Sequence, residues 1–172
     1  PANDGAMSRG IVSVGSSRYY LSDSGAMAVG WAFDGTDWYY ADGSGALASG
    51  WRSVNGAWYW LDIANDNRMV TGFFSIGSNR YHFSSTGALS LGWFMSDGDW
   101  YYAEPSNASG IVKTGWLKDG SQYYYLDPAV DGKMLLGHFS VNGKSYYAKG
   151  SGAVACREWV DVQDSVQDGP SK

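Results

Sequence analysis

Gly30-Trp31-Ala32-Phe33-Asp34-Gly35-Thr36-Asp37-Trp38-Tyr39-Tyr40-Ala41 decides the fold. Trp31 to Asp34 and Trp38 to Ala41 are short runs of residues that suit a pleated surface. Gly35-Thr36-Asp37 between them reads as a turn. Two such runs around a glycine-containing turn predict a β-hairpin. Asp42-Gly43-Ser44-Gly45 is a second turn, and Ala46-Leu47-Ala48-Ser49 leads out of it. Alternate side chains of a strand share a face. Trp38 and Tyr40 therefore lie on one face and Tyr39 on the other. A hairpin closed tightly around Gly35 sets Trp31 opposite Tyr40. One face then carries Trp31, Trp38 and Tyr40, while Tyr39 faces a neighbouring element.

The same stretch recurs along the chain. Gly10, Gly30, Gly50, Gly72, Gly92, Gly115 and Gly137 each open a repeat that reads roughly G-W-x-x-x-x-G-x-W-Y-Y-x-x-x-x-G-x-M-x-x. A period of about twenty residues marks a stacked array, whose members are too short to bury an apolar face alone. The residues equivalent to Leu47 are Met7, Met27, Met69, Leu89, Val112, Met134 and Val154. All are apolar, which predicts a continuous ladder through the connections. The expected fold is all-β: a solenoid of about seven short hairpins over residues 1–156. Arg157 stands where a further glycine would open a repeat. Residues 157–172 are read as a capping strand, Glu158 to Val162, and a polar tail.

A second period lies above the first. Repeats one and four lack the opening Trp and carry Ile11 and Phe73 there, and repeat seven carries His138. The same repeats replace the second Trp by Arg18, Arg80 and Ser145. Repeats two and five match through Asp37-Trp38-Tyr39-Tyr40-Ala41 and Asp99-Trp100-Tyr101-Tyr102-Ala103. Repeats three and six match through Leu61-Asp62 and Leu126-Asp127, each followed by a long turn with Ala64 or Ala129. A rotation of about a third of a turn per hairpin would bring every third repeat to the same side. Duplication of a three-repeat block would leave the same trace.

Composition narrows the partners. The 172 residues include 24 Gly, 9 Trp, 13 Tyr and 6 Phe, with a net charge of −5 and no basic cluster. Phosphate binding by nucleic-acid proteins draws on Lys and Arg patches, so nucleic acid is an unpromising partner. Cys156 is alone, which precludes an internal disulfide. No apolar run approaches the eighteen or so residues of a membrane helix. The chain opens inside a repeat, since Asp4-Gly5-Ala6-Met7-Ser8-Arg9-Gly10 matches Ser24-Gly25-Ala26-Met27-Ala28-Val29-Gly30. It therefore reads as a piece of a longer protein, with targeting and any catalytic domain elsewhere.

The repeated G-W-x-x-x-x-G-x-W-Y-Y motif resembles the cell-wall-binding repeats of Gram-positive bacteria and their phages, best known as choline-binding modules. Gly30 to Tyr40 and Gly50 to Tyr59 carry it most fully, and Gly92 to Tyr102 keeps both Trp and both Tyr. The resemblance covers about residues 4 to 156. It implies a left-handed superhelix with about three hairpins per turn, which favours the geometric reading of the longer period. It also implies that choline sits between consecutive hairpins, caged by two Trp of one repeat, a Tyr of the next and an apolar connector residue. Carried onto this sequence, the candidates are Trp31 and Trp38 with Tyr59, Trp51 and Trp58 with Tyr81, and Trp93 and Trp100 with Tyr124. Trp116 and Tyr123 with Tyr146 form a fourth in which one Trp has become Tyr. The choice of closing Tyr follows from the face assignment above. A quaternary ammonium cannot hydrogen-bond and is drawn to the negative faces of aromatic rings.

Repeats one, four and seven depart from the pattern, and Arg18 and Arg80 would repel a cation. The same architecture resembles glucan-binding repeats of streptococcal glucosyltransferases and receptor-binding repeats of clostridial toxins. Phe73-Phe74 and Tyr81-His82-Phe83 look closer to those sugar-binding variants.

The expectation is a non-catalytic, secreted or cell-surface module that recognises choline or a related amine on teichoic or lipoteichoic acid. A carbohydrate-binding module and a structural stalk are the alternatives. Cofactors and metals are not expected. Gly43 to Ala48 and Gly150 to Ala155 fit a loose dinucleotide pattern but open no helix. His82 and His138 occupy aromatic positions of the repeat, which favours stacking over catalysis or metal binding. Asp62, Asn65, Asp66 and Asn67 lack the spacing and closing Glu of a calcium loop and fit turn chemistry. Asn107-Ala108-Ser109 is a glycosylation sequon with meaning only in a eukaryotic secretory setting.

Overall fold

Each opening glycine starts a first strand, and each Trp-Tyr-Tyr or equivalent run forms the second. The computed structural model describes residues 7–155, and Cys156, the expected capping strand and the tail lie outside them. Among the described residues seven antiparallel hairpins follow one another, with no α-helix and three short 3-10 turns. The strands are Gly10–Val14 with Ser17–Leu21, Gly30–Phe33 with Trp38–Ala41, and Gly50–Val54 with Ala57–Asp62. Gly72–Ile76 with Asn79–Phe83 and Gly92–Ser96 with Asp99–Ala103 continue the series. Gly115–Asp119 with Gln122–Asp127 and Gly137–Val141 with Lys144–Ala148 complete it. The fold is an all-β solenoid of hairpins. It divides into two compact bodies, residues 1–113 with the first five hairpins and 114–172 with the other two.

The second hairpin shows the register. Gly30 pairs with Ala41, Trp31 with Tyr40, Ala32 with Tyr39 and Phe33 with Trp38. Trp31 thus stands opposite Tyr40, as the tight closure predicts. Asp34 leaves the strand, contrary to the sequence expectation. Its carboxylate accepts from the backbone N–H groups of Thr36 and Asp37, each at 2.8 Å, and so closes the turn. Several other hairpins turn on two residues with positive φ, such as Asn55 and Gly56 at 50° and 83°. That is the mirror-image turn whose twist suits antiparallel strands.

The connections form a third rail. Leu47 bridges Ala41 at the end of its own hairpin, and its N–H donates to the Arg18 carbonyl of the preceding one at 2.8 Å. Leu89 to Trp58, Val112 to Arg80 and Val154 to Tyr123 repeat the arrangement at 2.7–2.8 Å. These bonds satisfy backbone groups that would otherwise be buried without partners. The ladder of apolar connector residues is therefore present, and it is hydrogen-bonded as well as packed.

The core lies where that rail meets the hairpins. Ala41, Leu61, Phe83, Ala103, Leu126 and Ala148 end the second strands and are at most 1% exposed. Tyr39 and Leu47 are buried beside Ala41, with Ile11 and Tyr20 against them.

Two connections are longer and end in extra strands. Ile63–Asn65 and Pro128–Val130 are 3-10 turns, capped by Asp62 and Asp127 accepting from Ala64 and Ala129 N–H. Arg68–Met69 and Lys133–Met134 then add a third strand to their hairpins. Within the first body, Arg18 of hairpin one donates to Asp66 at 2.8 Å and to Asn67 at 3.4 Å. Asp66 and Asn67 lie in the connection leading to hairpin four. A return to the same side every third repeat brings these residues together.

Candidate functional site

Between the second and third hairpins three aromatic walls meet. Trp31 and Trp38 project from the same face of hairpin two. Their rings lie 6.4 Å apart and nearly perpendicular, at 84°. Tyr59 alternates to the opposite face of hairpin three, so it points back and meets Trp31 at 4.8 Å and 68°. Tyr40 braces Trp31 from behind at 5.1 Å. Met69 from the connecting strand closes the floor, and Ser85 and Thr86 form the rim. Together these residues line a cavity of about 410 Å³. Trp38 keeps 44% of its surface exposed.

The next gap has the same plan. Trp51 lies 6.3 Å from Trp58 at 84° and 5.2 Å from Tyr81 at 72°. Trp60 and Phe83 support Trp51 at 5.4 and 5.8 Å. The Leu89 N–H bonded to the Trp58 carbonyl fixes the connector beside it.

In the second body, Trp116 meets Tyr146 at 4.8 Å and 70°. Tyr123 is exposed, and the ammonium of Lys118, its cross-strand partner, lies 5.7 Å over its ring. Of the remaining candidates, Trp93 and Trp100 belong to the first body and Tyr124 to the second. Trp93 packs on Tyr102 at 5.2 Å.

The repeats without Trp pairs are built differently. Tyr39, which would face a cage from hairpin one, stacks on Tyr20 at 6.1 Å instead. Burial and the hydrogen bond to Asp34 push its hydroxyl up to about 12. In hairpin four, Phe73 meets Tyr101 at 4.9 Å and 67°. The Arg80 guanidinium lies 5.4 Å over the Phe73 ring. His82 stacks on Phe94 at 4.4 Å, and its Nδ1 is 2.8 Å from the Ser90 hydroxyl. Burial pushes its pKa down, and the nearby Asp97 only partly opposes this. His138 lies against Tyr147 at 4.8 Å. Both histidines thus sit among aromatic rings. Among the described residues no group of three or more His, Cys, Asp or Glu is placed to hold a metal. The Asp62 carboxylate is taken up by the Ala64 N–H and the Asn65 side-chain amide.

Ser85 and Thr86 escaped the sequence reading. They follow the fourth hairpin, while the cage belongs to the second and third. Met69 explains their position, because its side chain lies directly against Gly87 in the same turn.

A solenoid of β-hairpins whose successive faces leave aromatic gaps defines a class of repeat module. The chain belongs to the cell wall binding repeat family of choline-binding type, whose repeat profile matches residues 29–47, 49–62, 71–89, 92–106 and 114–129. Among solved structures it is similar to choline binding protein F of Streptococcus pneumoniae, with 36% identity and a TM-score of 0.77. That match covers 86% of this chain and 52% of the other. CbpJ of Streptococcus pneumoniae TIGR4 is 34% identical over the same shares, with a TM-score of 0.78. The modular autolysin LytC of the same species matches at 28% identity and a TM-score of 0.57, over 80% of this chain and 31% of LytC. This chain therefore spans about half the length of the first two relatives. No curated protein sequence matches it.

Proposed function

We propose that this chain is a non-catalytic module that holds its parent protein on a bacterial surface by caging choline, or a similar quaternary ammonium, on wall teichoic or lipoteichoic acid. The observation that carries the proposal is the open cavity lined by Trp31, Trp38, Tyr59 and Met69, with Ser85 and Thr86. Aromatic faces and a thioether among its walls suit a cation that cannot donate a hydrogen bond. Trp51, Trp58 and Tyr81 form the second site. Trp116, Tyr123 and Tyr146 form a third. The relatives support this reading, since choline binding protein F has also been solved in complex with ipratropium, a quaternary ammonium compound. LytC and choline binding protein F have each been solved with peptidoglycan analogues, so wall polymer is the proposed partner. The protein would act outside the cell, secreted or on the cell surface.

Phe83 is fully buried, and Tyr81 and His82 are each 7% exposed. Of the run that hinted at sugar binding these three rings are buried, while Phe73 and Phe74 are half-buried.

Each ring contact contributes about 0.5–2 kcal/mol, so one cage binds choline near the millimolar range, on the order of 4 kcal/mol. The test is a choline titration followed by Trp fluorescence, beside a titration with glucan oligomers. We expect saturation by choline near millimolar and no response to glucan. Trp38→Ala weakens the response at its cage roughly tenfold, the loss of about 1.4 kcal/mol. Arg18→Ala leaves the response unchanged. A folded protein with no saturable choline response, or equal losses from both variants, contradicts the proposal.

A further inference from the structure

The gap between hairpins four and five has the frame of a cage with two walls changed, and Phe94 of hairpin five also packs on Phe73 at 6.0 Å. Phe73 holds the place of Trp31, and Tyr101 holds that of Tyr59. Their rings meet at 4.9 Å and 67°, against 4.8 Å and 68° for Trp31 and Tyr59. Arg80 holds the place of Trp38. Its guanidinium lies 5.4 Å over the Phe73 ring, and Nη1 donates to the Ser75 hydroxyl at 3.2 Å. Ser75 is its cross-strand partner, so the side chain is anchored from its own hairpin. Arg18 at the equivalent place in hairpin one behaves otherwise. Its guanidinium is held by Asp66, Ile11 stands where hairpin two has Trp31, and Tyr39 stacks on Tyr20 instead.

We infer that Arg80 is the built-in guest of the fourth gap: a tethered cation that occupies the aromatic frame and keeps quaternary ammonium ligands out of it. The inference rests on the cage reading above. A guanidinium is attracted to a ring face as a quaternary ammonium is. Because Arg80 is tethered, it meets the ring intramolecularly, and choline has to displace it to enter. The fourth gap is therefore closed to ligand by specific chemistry, and Arg80 decides which gaps of the array bind. Replacing it by Trp sets an indole beside Phe73 and Tyr101 and opens a new site.

The experiment is equilibrium dialysis with radiolabelled choline on the full chain, its Arg80→Trp variant and its Arg18→Trp variant. We expect Arg80→Trp to bind one more choline per chain at saturation, and Arg18→Trp to bind the same number as the parent. A folded Arg80→Trp variant with unchanged stoichiometry overturns the inference. A parent that binds no choline overturns the cage reading and this inference with it, so the two failures are distinct. A second measurement needs no variant. The side-chain NMR signals of Arg80 should be shifted upfield by the Phe73 ring and stay fixed while choline moves the Trp31 and Trp38 indole signals. Displacement of the Arg80 signals by saturating choline would equally overturn it.

Discussion

At the scale of single residues, alternation along one strand assigns two jobs to adjacent side chains. Trp38 and Tyr39 are neighbours in sequence, yet one is exposed in a gap and the other is 4% exposed against the previous hairpin. This was legible in the Trp-Tyr-Tyr run because a strand has a period of two. His82 shows what the pattern did not reveal. It replaces the Tyr of repeats one, two, five, six and seven and the Trp of repeat three. Its burial disfavours the protonated ring, so its pKa lies below the ordinary value of 6.5. The unfolded chain therefore takes up a proton more readily than the folded one. The neutral ring's contribution is complete above about pH 6.5 and is lost as pH falls from there through the lowered folded value. Thermal unfolding measured across this range should show a falling midpoint, and His82→Tyr should flatten the fall. Equal pH dependence in both proteins would refute the assignment.

At the scale of elements, the connection is as decisive as the hairpin. Its apolar residue was readable from sequence, since Leu47 has an apolar counterpart in every repeat. The extra strands Arg68–Met69 and Lys133–Met134 were not, because two residues carry too little pattern to register as a strand. The core positions Ala41, Ala103 and Ala148 were also silent. An Ala is informative only once it is known to face a backbone at close range. Gly87 makes the close approach testable. Its φ is +79°, and an added Cβ would overlap the Met69 Sδ and Cε. Gly77 has φ +60° with open space around it. Both substitutions to Ala incur the left-handed penalty of about 1–2 kcal/mol. Gly87→Ala should lose a further ~1–3 kcal/mol to overpacking. Chemical denaturation of the two variants measures the difference, and equal losses would show that Met69 moves aside freely. Gly87→Ala should also weaken choline at the cage that Met69 floors.

At the scale of the whole molecule, hairpins two and three each present a Trp pair to one neighbour and a Tyr to the other. The sites are therefore directional and shared, and a repeat with a changed Trp pair removes a gap rather than a residue. The three-repeat period in the sequence records this alternation, and the contact of Arg18 with Asp66 gives it a structural basis within the first body. A net charge of −5 offers little to the phosphates of a wall polymer, so the proposed recognition rests on the amine. Several weak cages on one chain bind a polymer with many amines far more tightly than free choline, through effective concentration. The central claim is that a quaternary ammonium lies between hairpins, within rings contributed by both. A crystal structure at saturating choline tests it most directly. The account predicts the trimethylammonium group enclosed by Trp31, Trp38 and Tyr59 beside Met69. An empty cage, with choline bound only elsewhere or not at all, would contradict it.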